Sequence, residues 1–304
     1  MKLLITGGTG LVGRNIIAEA KNRGIKVHYL TTDKRKIISD ETVKGFYWNP
    51  KEDFLDHRCF EGVDTLIHLA GATISKPWTP KNRKEIMDSR VITSRMLSQS
   101  MKHEKIKMKQ ILCASAIGIY PNSFEDTLTE NSVETPENFL QEVTQAWEQQ
   151  SHAMSDCTDH LSIFRIGLVL AKDEGLLAEL SRPVKLFSGT AFATGKQWQS
   201  WIHIDDLCQL FLFAAQAGWE GTYNAVAPKP VRQRTLIKAL GRVLRRPVFL
   251  PNIPGALMKL VMGERSVLIL GSQKVSSELV VSKGFSFKYS LLPEALKDLY
   301  VQKR

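Results

Sequence analysis

The sequence predicts an α/β fold, a doubly wound parallel sheet with a smaller C-terminal domain. Three observations carry that expectation. The first two-thirds of the chain alternates short apolar runs with segments whose apolar residues recur at helical spacing, the rhythm of strands joined by crossover helices. The first apolar run ends in a glycine-rich turn. From about Gly167 the rhythm changes: Pro228, Pro230, Pro247, Pro251 and Pro254 punctuate the chain and the helices shorten.

In order along the chain, Leu3–Thr6 is the first strand. Leu11–Arg23 is the first helix, with Gly24 a suitable stop. Lys26–Leu30, Thr65–Leu69, Gln110–Ala114 and Leu161–Ile166 read as further strands. Trp201–Ala217 reads as one helix returning to the first domain. Leu291–Leu299 reads as the last helix, with Pro293 tolerated in its first turn.

Composition sets outer bounds. A chain of 304 residues, 43% hydrophobic and 24% charged, is an ordinary globular protein long enough for two units. Cys59, Cys113, Cys157 and Cys208 are scattered, with no C-x-x-C pair, so reduced thiols are expected rather than disulfides or a zinc site, and no metal. Met1-Lys2-Leu3 runs straight into a strand and no apolar run reaches membrane-spanning length. The expectation is a cytoplasmic protein with no membrane partner. The formal charge of +10 is spread along the chain, with clusters at Lys102–Lys109 and Arg242–Arg246. No aromatic-basic module accompanies it, so nucleic acid is not expected. A milder use of the charge is attraction of an anionic substrate or of cofactor phosphates.

The turn Thr6-Gly7-Gly8-Thr9-Gly10-Leu11-Val12-Gly13 is the most informative motif. Gly7 permits the tight turn, Gly10 lets backbone approach a pyrophosphate, and Gly13 lets the helix pack close on the sheet. Thr9, Leu11 and Val12 complete the contact, since the helix N-terminus offers oriented N–H groups to an anion. A strand before, an amphipathic helix after and a second strand make this a dinucleotide-binding unit rather than an isolated glycine turn. The fold is therefore a Rossmann-type doubly wound parallel sheet with a smaller C-terminal substrate-side domain. Residues 1–170, completed by about 201–228, form the dinucleotide domain, and residues 171–200 and 229–304 the smaller one. An acid at the end of the second strand would bind the ribose 2′-hydroxyl of NAD, whereas basic residues accept the 2′-phosphate of NADP. The sequence there is Leu30-Thr31-Thr32-Asp33-Lys34-Arg35-Lys36. Thr31 stands where the acid would, and Thr32, Lys34 and Arg35 follow, so NADP(H) is favoured over NAD(H). Asp33 opposes that choice.

Longer blocks run in order through nearly the whole chain: HLAGATI (His68–Ile74), WTPKNRKEIMDSRVITSRML (Trp78–Leu97), ASAIGIY (Ala114–Tyr120), FLQEVTQAWE (Phe139–Glu148), FRIGLVL (Phe164–Leu170) and GKQWQSWIHIDDL (Gly195–Leu207). With TGGTGLVG (Thr6–Gly13), GSQKV (Gly271–Val275) and GFSFKY (Gly284–Tyr289), they resemble an atypical extended short-chain dehydrogenase/reductase of the epimerase-like kind. The last two blocks are similar to that family's C-terminal module. The resemblance implies that Leu69, Ala70 and Gly71 line the adenine-ribose side of the cofactor. It also implies that Ser115 is the serine that hydrogen-bonds the reacting oxygen. It implies a Tyr-x-x-x-Lys pair as well, but Phe139 and Val143 occupy those positions. Neither can transfer a proton.

Any chemistry then needs a substitute acid or base. Tyr120 lies close after Ser115, His203 titrates near neutrality, and Glu148 follows Trp147. Each has a bland alternative. Tyr120 caps a strand, His203 holds a strand-to-helix turn, and Glu148 faces solvent. Asp205 and Asp206 read as N-cap and first-turn residues. Arg90 either reaches cofactor phosphates or makes a structural pair. Arg165, ending a buried strand, demands a partner: a substrate diphosphate or a structural acid. Gln197, Trp198 and Trp201 form an aromatic-polar group suited to a nucleotide or sugar face, with core packing the alternative for Trp201. Two functions follow. One is an NADP(H)-dependent oxidoreductase or epimerase-like enzyme acting on a small polar substrate, nucleotide-linked substrates included. The other is an NADP(H)-binding sensor or regulatory protein without turnover. A homodimer is compatible with either.

Overall fold

Strand β1 (Lys2–Thr6) opens the chain, and its residues Leu3 to Thr6 have no exposed surface. Burial on both faces is what a central parallel strand requires. The computed structural model describes residues 1–172 and 174–301. The other strands of the main sheet are β2 (Lys26–Thr31), β3 (Val43–Asn49), β4 (Phe54–Leu55), β5 (Thr65–His68), β6 (Met108–Ala116), β7 (Thr158–Ile166) and β8 (Gly221–Ala225). Their order is β8-β7-β6-β5-β1-β2-β3-β4. Strand β1 pairs in parallel with both β2 and β5, β2 with β3, and β5 with β6, while β4 runs antiparallel to β3. Strand order reverses between β1 and β5. Open α/β sheets bind ligands outside the carboxyl ends of strands at such a point.

Local chemistry explains the helices. Helix α1 (Leu11–Asn22) stops where Gly24 takes φ +67°, a left-handed position that favours glycine. Helix α2 (Pro80–His103) begins with Pro80, whose missing N–H costs nothing in a first turn, and the Thr79 hydroxyl accepts from Asn82 N. Helix α3 (Phe139–His152) is capped by Asn138, whose side chain accepts from Leu140 N and Gln141 N. Met96, Leu97 and Met101 of α2 pack with Leu4, Leu30, Leu66 and Ile111 into the core on one side of the sheet.

The chain divides into two units. The first holds Met1–Ile119, Pro136–Arg165 and Cys208–Tyr223, and the second holds Tyr120–Thr135, Ile166–Leu207 and the chain from Asn224 onward. In the second unit, Leu168–Leu170 pairs in parallel with Trp201–His203, Trp198–Gln199 pairs antiparallel with Val231–Arg232, and Thr127–Leu128 pairs in parallel with Lys274–Val275.

One expected element is corrected here. Trp201–Ala217 is not a single helix: Trp201–His203 is a strand and the helix is Ile204–Ala217. The Trp-Ile-His triplet joins two aromatic rings to a β-branched residue, which suits a pleated strand better than a helix turn. Asp205 and Asp206 then fall in the helix's first turn, where the dipole favours them.

Candidate functional site

The glycine turn is fixed by sterics that can be read atom by atom. A Cβ on Gly13 would lie 2.3 Å from the Gly7 carbonyl oxygen and 2.7 Å from Gly8 Cα, both backbone atoms with little freedom to retreat. Gly7 has φ +67°, and a Cβ there would meet the Leu69 carbonyl at 3.0 Å. Gly10 N donates to Gly7 O at 2.9 Å, closing the turn. Gly10 is also the N-cap of α1, with no side-chain cap and no acid in the first turn. The first N–H groups of α1 are thus left for an anion.

Thr6 ties this turn to the end of β5. Its Oγ1 accepts from Leu69 N and Ala70 N, each at 3.1 Å, so its proton goes to His68 Nδ1 at 2.7 Å. His68 must then carry its proton on Nε2, which donates to Ser94 Oγ at 2.9 Å, and Ser94 donates onward to Arg90 O at 2.8 Å. Burial holds His68 neutral and lowers its pKa to about 4. The unfolded chain takes up this proton from pH 6.5 downward, whereas the folded chain refuses it until about 4. Stability must therefore fall as pH falls through that window, by about 2 kcal/mol from this group between pH 7.5 and pH 5. Urea unfolding at the two pH values should show that loss, with His68→Gln removing its share. An equal loss in both proteins would show that His68 does not contribute.

Beside the turn lies a cleft of about 660 Å³ within the first unit, a volume suited to a small-molecule site. Gly7, Thr9, Thr31, Thr32, Ala70 and Gly71 line it, together with Lys51, Lys81 and Lys84. Arg35 donates from Nε and a terminal nitrogen to Asp33, both at 2.9 Å, and draws that carboxyl down to about 2. Lys34 sits 4.6 Å from the Tyr47 ring. Arg90 gives hydrogen bonds to Ala72 O and Ile86 O, lies 4.9 Å from the Trp147 ring, and stands where a Gly71 Cβ would touch it at 3.1 Å. Desolvation lowers its pKa to about 10.

Deeper in the same unit, Ser115 lies near the end of β6 and donates from Oγ to Glu148 Oε1 at 2.6 Å. Arg165 grips the same carboxylate bidentately, Nε to Oε1 and a terminal nitrogen to Oε2, both at 2.8 Å. The two side chains of this ion pair are 7% and 8% exposed. The solvent-facing alternative for Glu148 is thus corrected. Phe139, Val143 and Trp147 recur every fourth residue of α3 and form its buried face, and Glu148 flanks it. Arg165, on a buried strand, is the partner that makes its burial tolerable. At the Tyr-x-x-x-Lys positions, Phe139 packs against Trp78 with ring centroids 5.1 Å apart, and Val143 is 2% exposed.

The remaining candidates lie in the second unit. Tyr120 donates to Asn224 Oδ1 at 2.5 Å. His203 is 1% exposed, its Nδ1 accepts from Asp205 N at 3.1 Å, and its Nε2 lies 3.6 Å from Asp298 Oδ2. With Nδ1 accepting, the neutral ring keeps its proton on Nε2, which makes no hydrogen bond among the described residues. Burial lowers its pKa. Trp201 has no exposed surface and donates to Lys229 O. Trp198 donates to Phe124 O and lies beneath Arg232, 3.7 Å from ring centre to guanidinium, and Gln197 donates to Phe192 O.

A parallel sheet with a glycine cradle at its switch point defines a Rossmann-type fold. The chain belongs to the NAD-dependent epimerase/dehydratase family, whose model matches residues 3–225, and residues 253–299 match a domain of unknown function. An epimerase family protein of Staphylococcus haemolyticus is 34% identical over 300 residues, covering 98% of each chain. The human epimerase family protein (isoform 2), solved with NADPH, superposes with a TM-score of 0.86 at 24% identity over 99% of both chains. The nucleoside-diphosphate sugar epimerase from Corynebacterium glutamicum gives a TM-score of 0.76 at 28% identity, covering 99% of this chain and 58% of that one.

Proposed function

We propose that the protein is an NADP(H)-dependent oxidoreductase or epimerase-like enzyme acting on a small polar substrate, with nucleotide-linked substrates in range. The observation that carries this reading is the Gly7–Gly13 cradle, with no room for a Cβ at Gly8 or Gly13 and crowned by an uncapped helix N-terminus beside the cleft. Thr9, Gly10, Leu11 and Val12 would hold the pyrophosphate, and Leu69, Ala70 and Gly71 the adenine-ribose side. Beside Thr31–Thr32 the charge of Asp33 is balanced by Arg35, and Lys51 adds a cation to the cleft wall. The cofactor would supply or accept hydride.

Ser115 orients the reacting oxygen. Its only proton is given to Glu148, so toward a substrate it offers lone pairs and receives a hydroxyl. Glu148, pinned by Arg165, fixes that orientation. The buried cysteines fit a reducing cytoplasm. The burial of Phe139 and Val143 favours a second reading, an NADP(H)-binding sensor or regulator without turnover.

A panel of alcohols and sugar nucleotides with NADP⁺, with the matching carbonyl compounds and NADPH in reverse, separates the two. The enzyme reading expects turnover with at least one compound, lowered about 100-fold in Ser115→Ala, with NADPH binding unchanged by direct titration. Binding without turnover across the panel selects the sensor, and unaltered turnover in the variant removes Ser115 from the mechanism.

A further inference from the structure

Between Glu220 and Glu264 the chain contains no Asp or Glu but eight Lys or Arg, against a net charge of +10 for the whole. The fold gathers much of that charge on one surface of the second unit. Helix Gln233–Val243 buries Leu236, Ile237 and Leu240 and presents Arg234, Lys238 and Arg242, four residues apart, on its exposed face. Like charges at that spacing repel one another. Arg245 and Arg246 follow, and among the described residues none of these five pairs with a carboxylate. Lys238, Arg242, Arg245 and Arg246 wall a crevice of about 400 Å³. A second crevice shares Lys238 with it and adds Arg234, Phe249 and Leu250.

Large apolar side chains stand among these cations. Phe249 is 70% exposed, Leu186 76% and Phe187 51%. Phe187 belongs to the same surface, because Arg246 donates to Lys185 O and its guanidinium lies 4.7 Å from the Phe187 ring. Phe187 also has φ +59°, a left-handed conformation that bulky residues seldom adopt.

We propose that this surface docks the protein on an anionic lipid bilayer, with Arg234, Lys238, Arg242, Arg245 and Arg246 at the headgroup phosphates and Leu186, Phe187 and Phe249 dipping below them. Cations ringing protruding apolar tips match a bilayer's layering of charge over hydrocarbon. A two-fold contact with a second copy would press cations against cations. Stacking of single-stranded nucleic acid needs a run of open aromatic faces, and Phe249 alone offers one, since the Phe187 face is covered by Arg246 and Leu186 offers nothing to a base. The expectation of no membrane partner rested on the lack of a spanning segment. No helix among the described residues is long and apolar enough to cross a membrane, and peripheral docking needs none.

The full chain should co-sediment with vesicles of phosphatidylcholine and phosphatidylglycerol, bind pure phosphatidylcholine far more weakly, and be released by salt. Each surface cation is worth about fivefold in affinity, so Arg245→Ala/Arg246→Ala should weaken binding about 30-fold. Phe249→Ser, which leaves the charge intact, should weaken it about tenfold. Melting temperatures of the variants confirm their folding, since all three positions are exposed. Equal binding to neutral and anionic vesicles, or no vesicle binding, overturns the proposal. So do full binding by Phe249→Ser, tighter binding to a single-stranded oligonucleotide that displaces the vesicles, and a dimer in solution that Phe249→Ser dissociates.

Discussion

Gly13→Ala is expected to cost about 3 kcal/mol of folding stability and to weaken dinucleotide binding on the order of 100-fold. One methyl group does this because of where it would stand. At 2.3 Å from the Gly7 carbonyl oxygen and 2.7 Å from Gly8 Cα it meets backbone on the cradle itself, so α1 must move off the sheet or the turn must open. Either response disturbs the N–H groups that face the pyrophosphate. Gly24→Ala supplies the contrast. Gly24 has φ +67°, but nothing lies within 4 Å of its missing Cβ, so only the left-handed conformation is penalised, by about 1 kcal/mol. Gly24 is also remote from the turn in sequence, and its variant should bind cofactor normally. Chemical denaturation and a dinucleotide titration of the two variants check this. Equal stability losses would mean that conformation rather than close packing governs Gly13.

Arg165→Met should be the most destabilising change in the interior of the first unit, at about 4 kcal/mol. The Glu148 carboxylate would remain buried, keep the Ser115 proton, and lose both guanidinium bonds. Desolvated charge without a partner is the source of that cost. Adding Glu148→Leu should therefore restore most of the stability, because an apolar pair of similar volume has no charge to desolvate. A complete double-mutant cycle by urea unfolding measures the coupling. A single-variant cost below about 1 kcal/mol would show the pair to be solvated and weak.

Much of this architecture is legible in the sequence because its signals are local. The strand–glycine–helix pattern at Leu3–Gly13 needs no distant partner to be read, and β1, α1 and β2 lie within a residue or two of their expected limits. What escapes the sequence is contact between distant segments. Glu148 reads as a surface residue until Ser115 and Arg165, from two different strands, are brought against it. Arg165 alone carried a hint, since a buried strand end demands a counter-charge. The Thr6–His68–Ser94 chain is equally silent, because α1 and strands β2 to β4 lie between Thr6 and the strand that carries His68. Trp201–His203 reads as part of the following helix because so short an apolar run beside a helix has no period of its own. Only pairing with Leu168–Leu170 makes it a strand. The cations at the cleft shift in the same way: Lys34 and Arg35 neighbour Thr32 in sequence, but Lys51, Lys81 and Lys84 line the wall.

Titration of the purified protein with NADPH and NADH, followed by tryptophan fluorescence or calorimetry, tests the central claim most directly. Saturable binding of one NADPH per chain is expected, at least about tenfold tighter than NADH, the worth of one additional charge-assisted contact to the 2′-phosphate. Binding of neither dinucleotide by folded protein would contradict the cradle at Gly7–Gly13, and tighter binding of NADH would contradict the assignment of the 2′-phosphate to Thr31–Thr32.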